Sequence, residues 1–419
     1  MTLTPPPLKD DCFALPSGTQ WTPVDEALSE LKKRLSVVTT VESVGLAGAL
    51  DRILAEDVLA SRANPPRPNS AVDGYGFAHA DTKEGPQALP LMEGRSAAGQ
   101  PFDRPLAAGQ AIRILTGATL PEGVDTVILQ EDVSTDGQAI AFHGPVRKGA
   151  NTRRAGEDVD AGETILTAGR KLTPADLALM AATGVSEVLV RRKLRVAVVS
   201  TGDELAEPGE TARADQIFDA NRPMLLSMIR RFGFEPIDAG RAPDDRDELR
   251  GFLDRAADQA DVILTSGGAS AGDEDHMSAL LNESRSMTLW RIAIKPGRPL
   301  ALGVWKGKPV FGLPGNPVAA MVCTLVFAKP AMSLLAGAGW ESPLRLTVPA
   351  AFSKSKKPGR REYLRARLRD GKAEVFASEG SGRISGLSWA EGLVELPDEA
   401  CDVDHETPVI FMPYAGFGL

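Results

Sequence analysis

Asp261 to Met277 reads DVILTSGGASAGDEDHM, Trp290 to Gly303 reads WRIAIKPGRPLALG, and Pro309 to Val322 reads PVFGLPGNPVAAMV. In the first stretch the apolar run Val262 to Leu264 feeds Ser266-Gly267-Gly268, and the carboxylates Asp273 and Asp275 follow closely. A strand entering paired glycines makes a phosphate-sized loop. Backbone without a Cβ can turn its N–H groups onto an anion, and a nearby aspartate can hold the divalent cation that accompanies a diphosphate. In the second stretch Lys295-Pro296-Gly297-Arg298-Pro299 sets two cations on a rigid turn. In the third, Asn316 and Pro317 suit the N-cap and first position of a helix, so a helix starts where the chain leaves Gly312 to Gly315, with Pro314 in the turn. Each motif alone is weak, because a Gly-Gly or a Lys-Pro-Gly is more often only a turn. Three such loops at successive strand ends of one open α/β sheet point jointly to a ligand site, since these sheets bind at the carboxyl ends of their strands.

Around this segment the 419 residues suggest two to four domains. A hydrophobic fraction of 43% and a charged fraction of 25% are those of a globular protein, and 41 Gly with 31 Pro suit small β modules beside an α/β one. The net charge of −9 argues against a nucleic-acid partner, which needs a basic surface to release counterions. The most basic run, Lys354 to Arg369, reads as a solvated strand face. Three dispersed cysteines and four scattered histidines offer neither a disulfide framework nor a zinc site, so oxygen-ligated Mg²⁺ is the expected metal. The N-terminal MTLTPPPLKDDCF lacks the cationic-then-apolar order of a signal peptide, and the run Val318 to Ala328 is too short to cross a bilayer. A cytoplasmic protein with no membrane partner is expected.

Along the chain, Val24, Ala27, Leu28, Leu31 and Leu35 recur at helical spacing, Val41 to Val44 reads as a strand, and Leu46 to Ile53 reads as a second helix. Asn64 to Asn69 is a breaker cluster, after which residues 56–150 read as an inserted β domain. Residues 20–55 and 151–190 together read as a discontinuous α/β linking region, with a helix from Pro174 capped by Thr173 and stopped by Gly184. Residues 191–338 alternate strand and helix, the pattern of a doubly wound, mostly parallel sheet, and residues 339–419 read as a C-terminal β-barrel-like domain. The expected fold class is therefore α/β plus β. Further acidic loops follow the strands of the α/β unit: STGDEL carries Asp203 and Glu204, and PDDRDEL carries Asp244 and Asp245, either as helix caps or as ligands of a hard cation. Asp73 sits in an Asp-Gly pair that could be a hairpin turn, Thr116 lies beside Gly117, and Arg153, Arg154, Glu157 and Asp158 share one polar loop.

Taken in order, SAVDGYGFA, TGATLP, RRAGEDV, VSTGDEL, SGGASAGDEDH, IKPGRP and GLPGNPVAA resemble the molybdopterin molybdenumtransferase family, the MoeA and gephyrin E-domain type. The resemblance runs from about residue 20 to the C-terminus. It implies that adenylylated molybdopterin and molybdate are converted to molybdenum cofactor with release of AMP in a Mg²⁺-dependent step. It also implies a homodimer whose site is shared between subunits, with molybdopterin adenylyltransferase and molybdoenzymes as partners. By the same likeness Gly267 and Gly268 cradle the diphosphate, while Glu204, Asp244 and Asp275 hold the metal or orient water. Ser270, Lys295, Arg298, Pro314 and Asn316 belong with the anionic substrate, as do Arg365 and Ser381 from the last domain. Asp73, Thr116 and Asp158 come from the other subunit's half of the cleft. Where the family commonly has Met, Lys and two Val, this sequence has Val72, Arg298, and Ala269 with Ala271. No carboxylate or glycine is lost, which weighs against the alternative of a non-catalytic pterin carrier or scaffold. The two β regions weigh against a molybdopterin adenylyltransferase, which needs the α/β unit alone.

Overall fold

The computed structural model describes residues 21–267, 276–283, 288–290, 292–297, 300–378, 380 and 382–419. Asp275, Gly268, Ser270, Arg298 and Ser381 lie outside them. The chain divides into two compact units, residues 43–190 and residues 1–42 with 191–419.

In the smaller unit, the strands Gly74–Phe77, Ala111–Ile114 and Thr126–Leu129 belong to a six-stranded sheet with Gly85–Ser96 and Ala139–Gly144. Its core closes around Phe77 and Phe142, whose rings stack at 5.1 Å. A second core gathers Leu54, Leu172, Met180 and Val190 around the helix Pro174–Ala182. Thr173 and Asp176 form a reciprocal capping box at the start of that helix. The helix expected over Leu46 to Ile53 is absent: Leu46–Gly48 is a single 3₁₀ turn and Ile53–Leu54 is strand. Gly48 and Asp51, the latter at φ +62°, break the run, and Ile53 and Leu54 are both buried.

Among its described residues the larger unit carries two six-stranded sheets. Helix α1 (Val24–Arg34) precedes strand β1 (Arg195–Thr201), α2 (Asn221–Arg231), β2 (Glu235–Ala242), α3 (Arg246–Gln259), β3 (Val262–Ser266) and α4 (His276–Glu283). After β4 (Thr288–Trp290) come β5 (Ile294–Lys295), β6 (Leu300–Trp305), β7 (Lys308–Leu313), α5 (Pro317–Cys323) and α6 (Lys329–Ala336). The described residues form a six-stranded sheet in the order β2-β1-β3-β7-β6-β4. Pairs β2/β1, β1/β3 and β3/β7 are parallel, whereas β7/β6 and β6/β4 are antiparallel. The sheet is thus mixed where a mostly parallel one was expected. The two-residue turn Lys306-Gly307, with both residues at positive φ, joins β6 to β7 directly, so no crossover helix separates them.

Burial explains the near-continuous apolar run of β1. Ala197 and Val199 join Leu249, Leu253 and Ile263 in one cluster with α3, while Val196 and Val198 alternate to the opposite face and are also fully buried. Helices α5 and α6 run on through a π turn as one helix, Pro317–Ala336, long and apolar enough to cross a membrane. Its apolar window is 89% buried within the protein, as a core helix is.

The second sheet of this unit has the order β5-β9-β11-β12-β8, where β8 is Leu346–Pro349, β9 Arg361–Arg369, β11 Gly392–Leu396 and β12 Pro408–Pro413; β10 (Lys372–Val375) pairs with β9. Strand β5 therefore leaves the α/β sheet and pairs in parallel with β9, Ile294 opposite Arg361 and Lys295 opposite Glu362. The helix grouped by sequence with residues 151–190, α1, is tied here: Ala293 N–H donates to the Thr22 carbonyl at 2.8 Å, and both guanidinium ends of Arg361 bond the Asp25 carboxylate at 2.7 and 2.8 Å.

At the amino ends of β1 and β3, the buried Asp261 carboxylate accepts from Arg192 at 3.0 and 3.1 Å, from Arg195 N–H at 2.9 Å and from the Arg195 side chain at 3.2 Å. Burial pushes its pKa up, but the bonds from Arg192 and Arg195 outweigh this and hold it below the ordinary 3.8. A depressed folded-state pKa gives stability that is complete above that ordinary value and lost as pH falls below it. Asp261→Asn is expected to cost about 2 kcal/mol at pH 7 in denaturant unfolding, with the difference from wild type shrinking below pH 4.

Candidate functional site

A cavity of about 630 Å³ lies in the larger unit where its two sheets meet. Lys295, Pro314, Asn316 and Arg365, four of the residues singled out by sequence, all line it, although they come from β5, from the turn after β7 and from β9. Lys354 and Arg360 line it too, so among the described residues four cations face one cavity. Asn316 caps α5 as its sequence predicts, its side-chain oxygen accepting from Val318 N–H at 3.1 Å and Ala319 N–H at 3.4 Å.

Lys295-Pro296-Gly297 reaches this wall by a route the sequence did not suggest. It was expected at a strand end of the α/β sheet, but Lys295 is part of β5 and pairs within the C-terminal sheet. Gly297 has φ +125°, and a Cβ there would lie 2.7 Å from the Cys323 sulfur, so the turn packs directly on α5. Burial pushes the Cys323 thiol up to about 12.

The basic run Lys354 to Arg369 is not a solvated face. Lys356 and Arg365 are only 3% and 4% exposed, and the Lys356 ammonium donates to the carbonyls of Lys357 and Glu399, each at 2.9 Å. The Arg365 guanidinium lies over the Phe376 ring, 4.9 Å from its centroid, and donates to the carbonyls of Ser378, Gly380 and Arg383. Burial lowers its pKa, so its charge is held where an anion would relieve the desolvation.

At the carboxyl ends of β1, β3 and β7 a second set converges. Gly267 has φ +95°, and a Cβ would come within 2.6 Å of the Thr201 carbonyl oxygen. Asn221, at the start of α2, donates its amide to Ser266 Oγ at 2.7 Å and to the Gly315 carbonyl at 2.6 Å, fastening the last residue of β3 to the loop after β7. Among the described residues the Thr201 and Thr265 hydroxyls are buried there without a partner. Sequence reading passed over Asn221; its only signal was a polar residue, DAN, opening a helix just after a strand-like stretch. Neither Gly267, Glu204 nor Asp244 lines the cavity.

Asp203 and Asp244 answer each other across the paired ends of β1 and β2: each carboxylate accepts the other's backbone N–H, at 3.2 and 3.3 Å. The cap of α3 is Asp245, which leaves Asp244 outside that task. Among the described residues no three His, Cys, Asp or Glu side chains gather as a metal site. In the smaller unit Asp73 does not sit in a hairpin, since the strands on either side of it pair elsewhere. Its carboxylate accepts from the Thr116 hydroxyl at 2.6 Å and the Thr116 N–H at 2.7 Å, and these bonds lower its pKa. Asp158 accepts from the Asn64 amide at 2.9 Å.

Residues 22–184 match the model of the MoeA N-terminal region, domains I and II; 197–333 match a probable molybdopterin binding domain; and 347–412 match the MoeA C-terminal region, domain IV. A molybdopterin molybdenumtransferase of Haemophilus influenzae is 36% identical over 399 residues, covering 93% of this chain and 98% of the relative. The chain belongs to the molybdopterin molybdenumtransferase family. This is an enzyme family of molybdenum cofactor biosynthesis. Molybdopterin molybdenumtransferase 2 of Mycobacterium tuberculosis is 35% identical, covering 86% of this chain and 92% of that one. The crystal structure of the molybdopterin biosynthesis MoeA protein of Pyrococcus horikoshii OT3 shares 30% identity at a TM-score of 0.83, covering 94% of this chain and all of that one. The fold is accordingly the MoeA type, multi-domain with mixed α/β sheets.

Because Gly267 has no room for a side chain and a positive φ, Gly267→Ala is expected to shift the loop after β3 and cost about 2 kcal/mol or more. Asn221→Ala should cost about 1 kcal/mol by removing the link between the end of β3 and the loop after β7. Thermal unfolding checks both.

Proposed function

We infer that this enzyme inserts molybdenum from molybdate into adenylylated molybdopterin, releasing AMP and forming molybdenum cofactor. The observation that carries the reading is the convergence of Lys295, Lys354, Arg360 and Arg365 with Pro314 and Asn316 on one cavity. Molybdate is a tetrahedral dianion, and cations with N–H donors suit it. Lys295, Arg298 and Ser270 serve the oxyanion and the anionic tail of the pterin. Arg365 and Ser381 complete the oxyanion's surroundings. Gly267 and Gly268 receive the diphosphate, with the buried hydroxyls of Thr201 and Thr265 and the Asn221 link at the end of β3 just before them.

Mg²⁺ fits the carboxylates of Glu204, Asp244 and Asp275 by donor type, all hard oxygens, with Glu204 and Asp244 following the neighbouring strands β1 and β2. When bound it would neutralise the phosphates undergoing cleavage. In that cleavage water adds to phosphorus, the phosphoanhydride bond breaks, and AMP leaves. The chain's own groups orient the diphosphate and hold the oxyanion next to the pterin.

Residues 191–338 are read as the pterin-binding domain, 339–419 as the β domain that completes the cavity, 56–150 as an insert, and 20–55 with 151–190 as the link. The working form is a cytoplasmic homodimer in which Asp73, Thr116 and Asp158 serve the other subunit's cleft. The adenylyltransferase supplies substrate, and molybdoenzymes accept product.

Purified protein with adenylylated molybdopterin, Mg²⁺ and molybdate is expected to release AMP and to reconstitute a cofactor-free molybdoenzyme. Lys295→Gln should reduce kcat/KM for molybdate about 100-fold. Tight pterin binding with no AMP release under any oxyanion would replace the transferase with a carrier.

A further inference from the structure

We propose that Glu362 is a positioning residue, whose single carboxylate holds the ammonium groups of Lys295 and Lys354 together as a two-cation face for a doubly charged tetrahedral oxyanion. The inference rests on the molybdate reading above and deepens it. Lys295 Nζ lies 3.3 Å from Glu362 Oε1, and Lys354 Nζ lies 3.3 Å from Glu362 Oε2. One lysine reaches the acid from β5, directly opposite Glu362 in the ladder; the other comes from the strand Lys354–Lys356, which pairs with Cys401–Val403. Both lysines line the cavity, whereas Glu362, 7% exposed, does not. The acid therefore stands behind the two cations.

Two ammonium groups brought this close repel each other, and each rides on a flexible four-carbon stem. A carboxylate hydrogen-bonded to Lys295 through Oε1 and ion-paired with Lys354 through Oε2 offsets the repulsion and limits the freedom of both stems. A dianion arriving from the cavity then meets two charges already spaced to share it, which is the advantage of preorganisation. Glu362 is not needed merely to join β5 to β9. That junction already has its backbone ladder, the 2.8 Å bond from Arg361 N–H to the Ala293 carbonyl, and the Arg361–Asp25 pair.

Titration with molybdate and with perrhenate, a monoanion of the same shape, tests the proposal without turnover. Glu362→Gln is expected to weaken molybdate binding about tenfold while moving perrhenate by less than about threefold, because only the dianion uses both cations. In the AMP assay KM for molybdate should rise more than kcat falls, and Glu362→Asp, which keeps the charge on a shorter stem, should fall between wild type and Gln. Removing an acid from a basic cavity would by simple charge count tighten anion binding, so unchanged or tighter molybdate binding in Glu362→Gln overturns the proposal. A lower melting temperature with unaltered molybdate affinity would assign Glu362 a purely structural role and equally overturn it. Should Glu362→Gln fail to fold, Lys354→Met decides: it must also lose about tenfold in molybdate affinity, and full affinity in that variant sinks the two-cation face. Wild type that binds molybdate yet releases no AMP would remove the transferase reading and leave the clamp standing, whereas wild type that binds no molybdate would remove the clamp.

Discussion

Everything in the cavity depends on two residues of strand. Ile294 and Lys295 leave the α/β sheet and pair with Arg361 and Glu362 at the edge of the C-terminal sheet. A parallel ladder this short is weak by itself, since a pair of bridges cannot offset the entropy of fixing the chain. The charges around it supply what the ladder lacks. Arg361, whose side chain is 11% exposed, bonds Asp25 of α1 and Asp398 at 2.7 Å each, with Glu395 at 3.5 Å. Taking acids away from the largely buried Arg361 guanidinium leaves its charge undercompensated, although Asp25 itself is largely exposed, so the pairing resists separation more strongly than its net contribution to stability implies. The junction fixes where Lys295 stands, and with it the wall on which the oxyanion chemistry rests.

The two candidate anion regions are built by different means. The end of β3 and the turn after β7 depend on small size and on neutral donors and acceptors: Gly267 admits no side chain, Asn221 spans Ser266 and Gly315, and hydroxyls line the ground beneath. The cavity depends on charge whose local hydrogen bonds are spent on structure, as with Arg365, whose described bonds go to backbone carbonyls while its face lies on Phe376. A cation held in this way offers field more than directional donors, which suits a compact symmetrical oxyanion. Neutral backbone at a glycine with no room for a side chain suits an extended phosphate chain instead.

The sequence made the strands of the α/β unit legible because their apolar runs are buried on both faces and end in glycine, and Asn316-Pro317 announced its helix by capping chemistry alone. It misplaced what depends on distant pairing. Nothing in IKPGRP says that its strand belongs to another sheet, because the partner lies 67 residues away at Glu362. Lys354, Lys356 and Arg365 looked solvated because charge normally stays in water; their burial is made tolerable by carbonyl oxygens and acids contributed from elsewhere in the fold. The hairpin between β6 and β7 reversed an expected parallel order for a local reason, a two-residue turn that permits no crossover.

The strand lent by one sheet to another also limits how this architecture can be recombined. A module that keeps all its strands can be excised, transplanted or duplicated as a cassette, its edges already closed. Here, cutting the chain between β7 and β9 would deprive the C-terminal sheet of an edge strand and the cavity of Lys295, and it would leave Arg361 without Asp25. The α/β sheet and the C-terminal sheet are thus bound to be inherited together, as one indivisible piece of machinery.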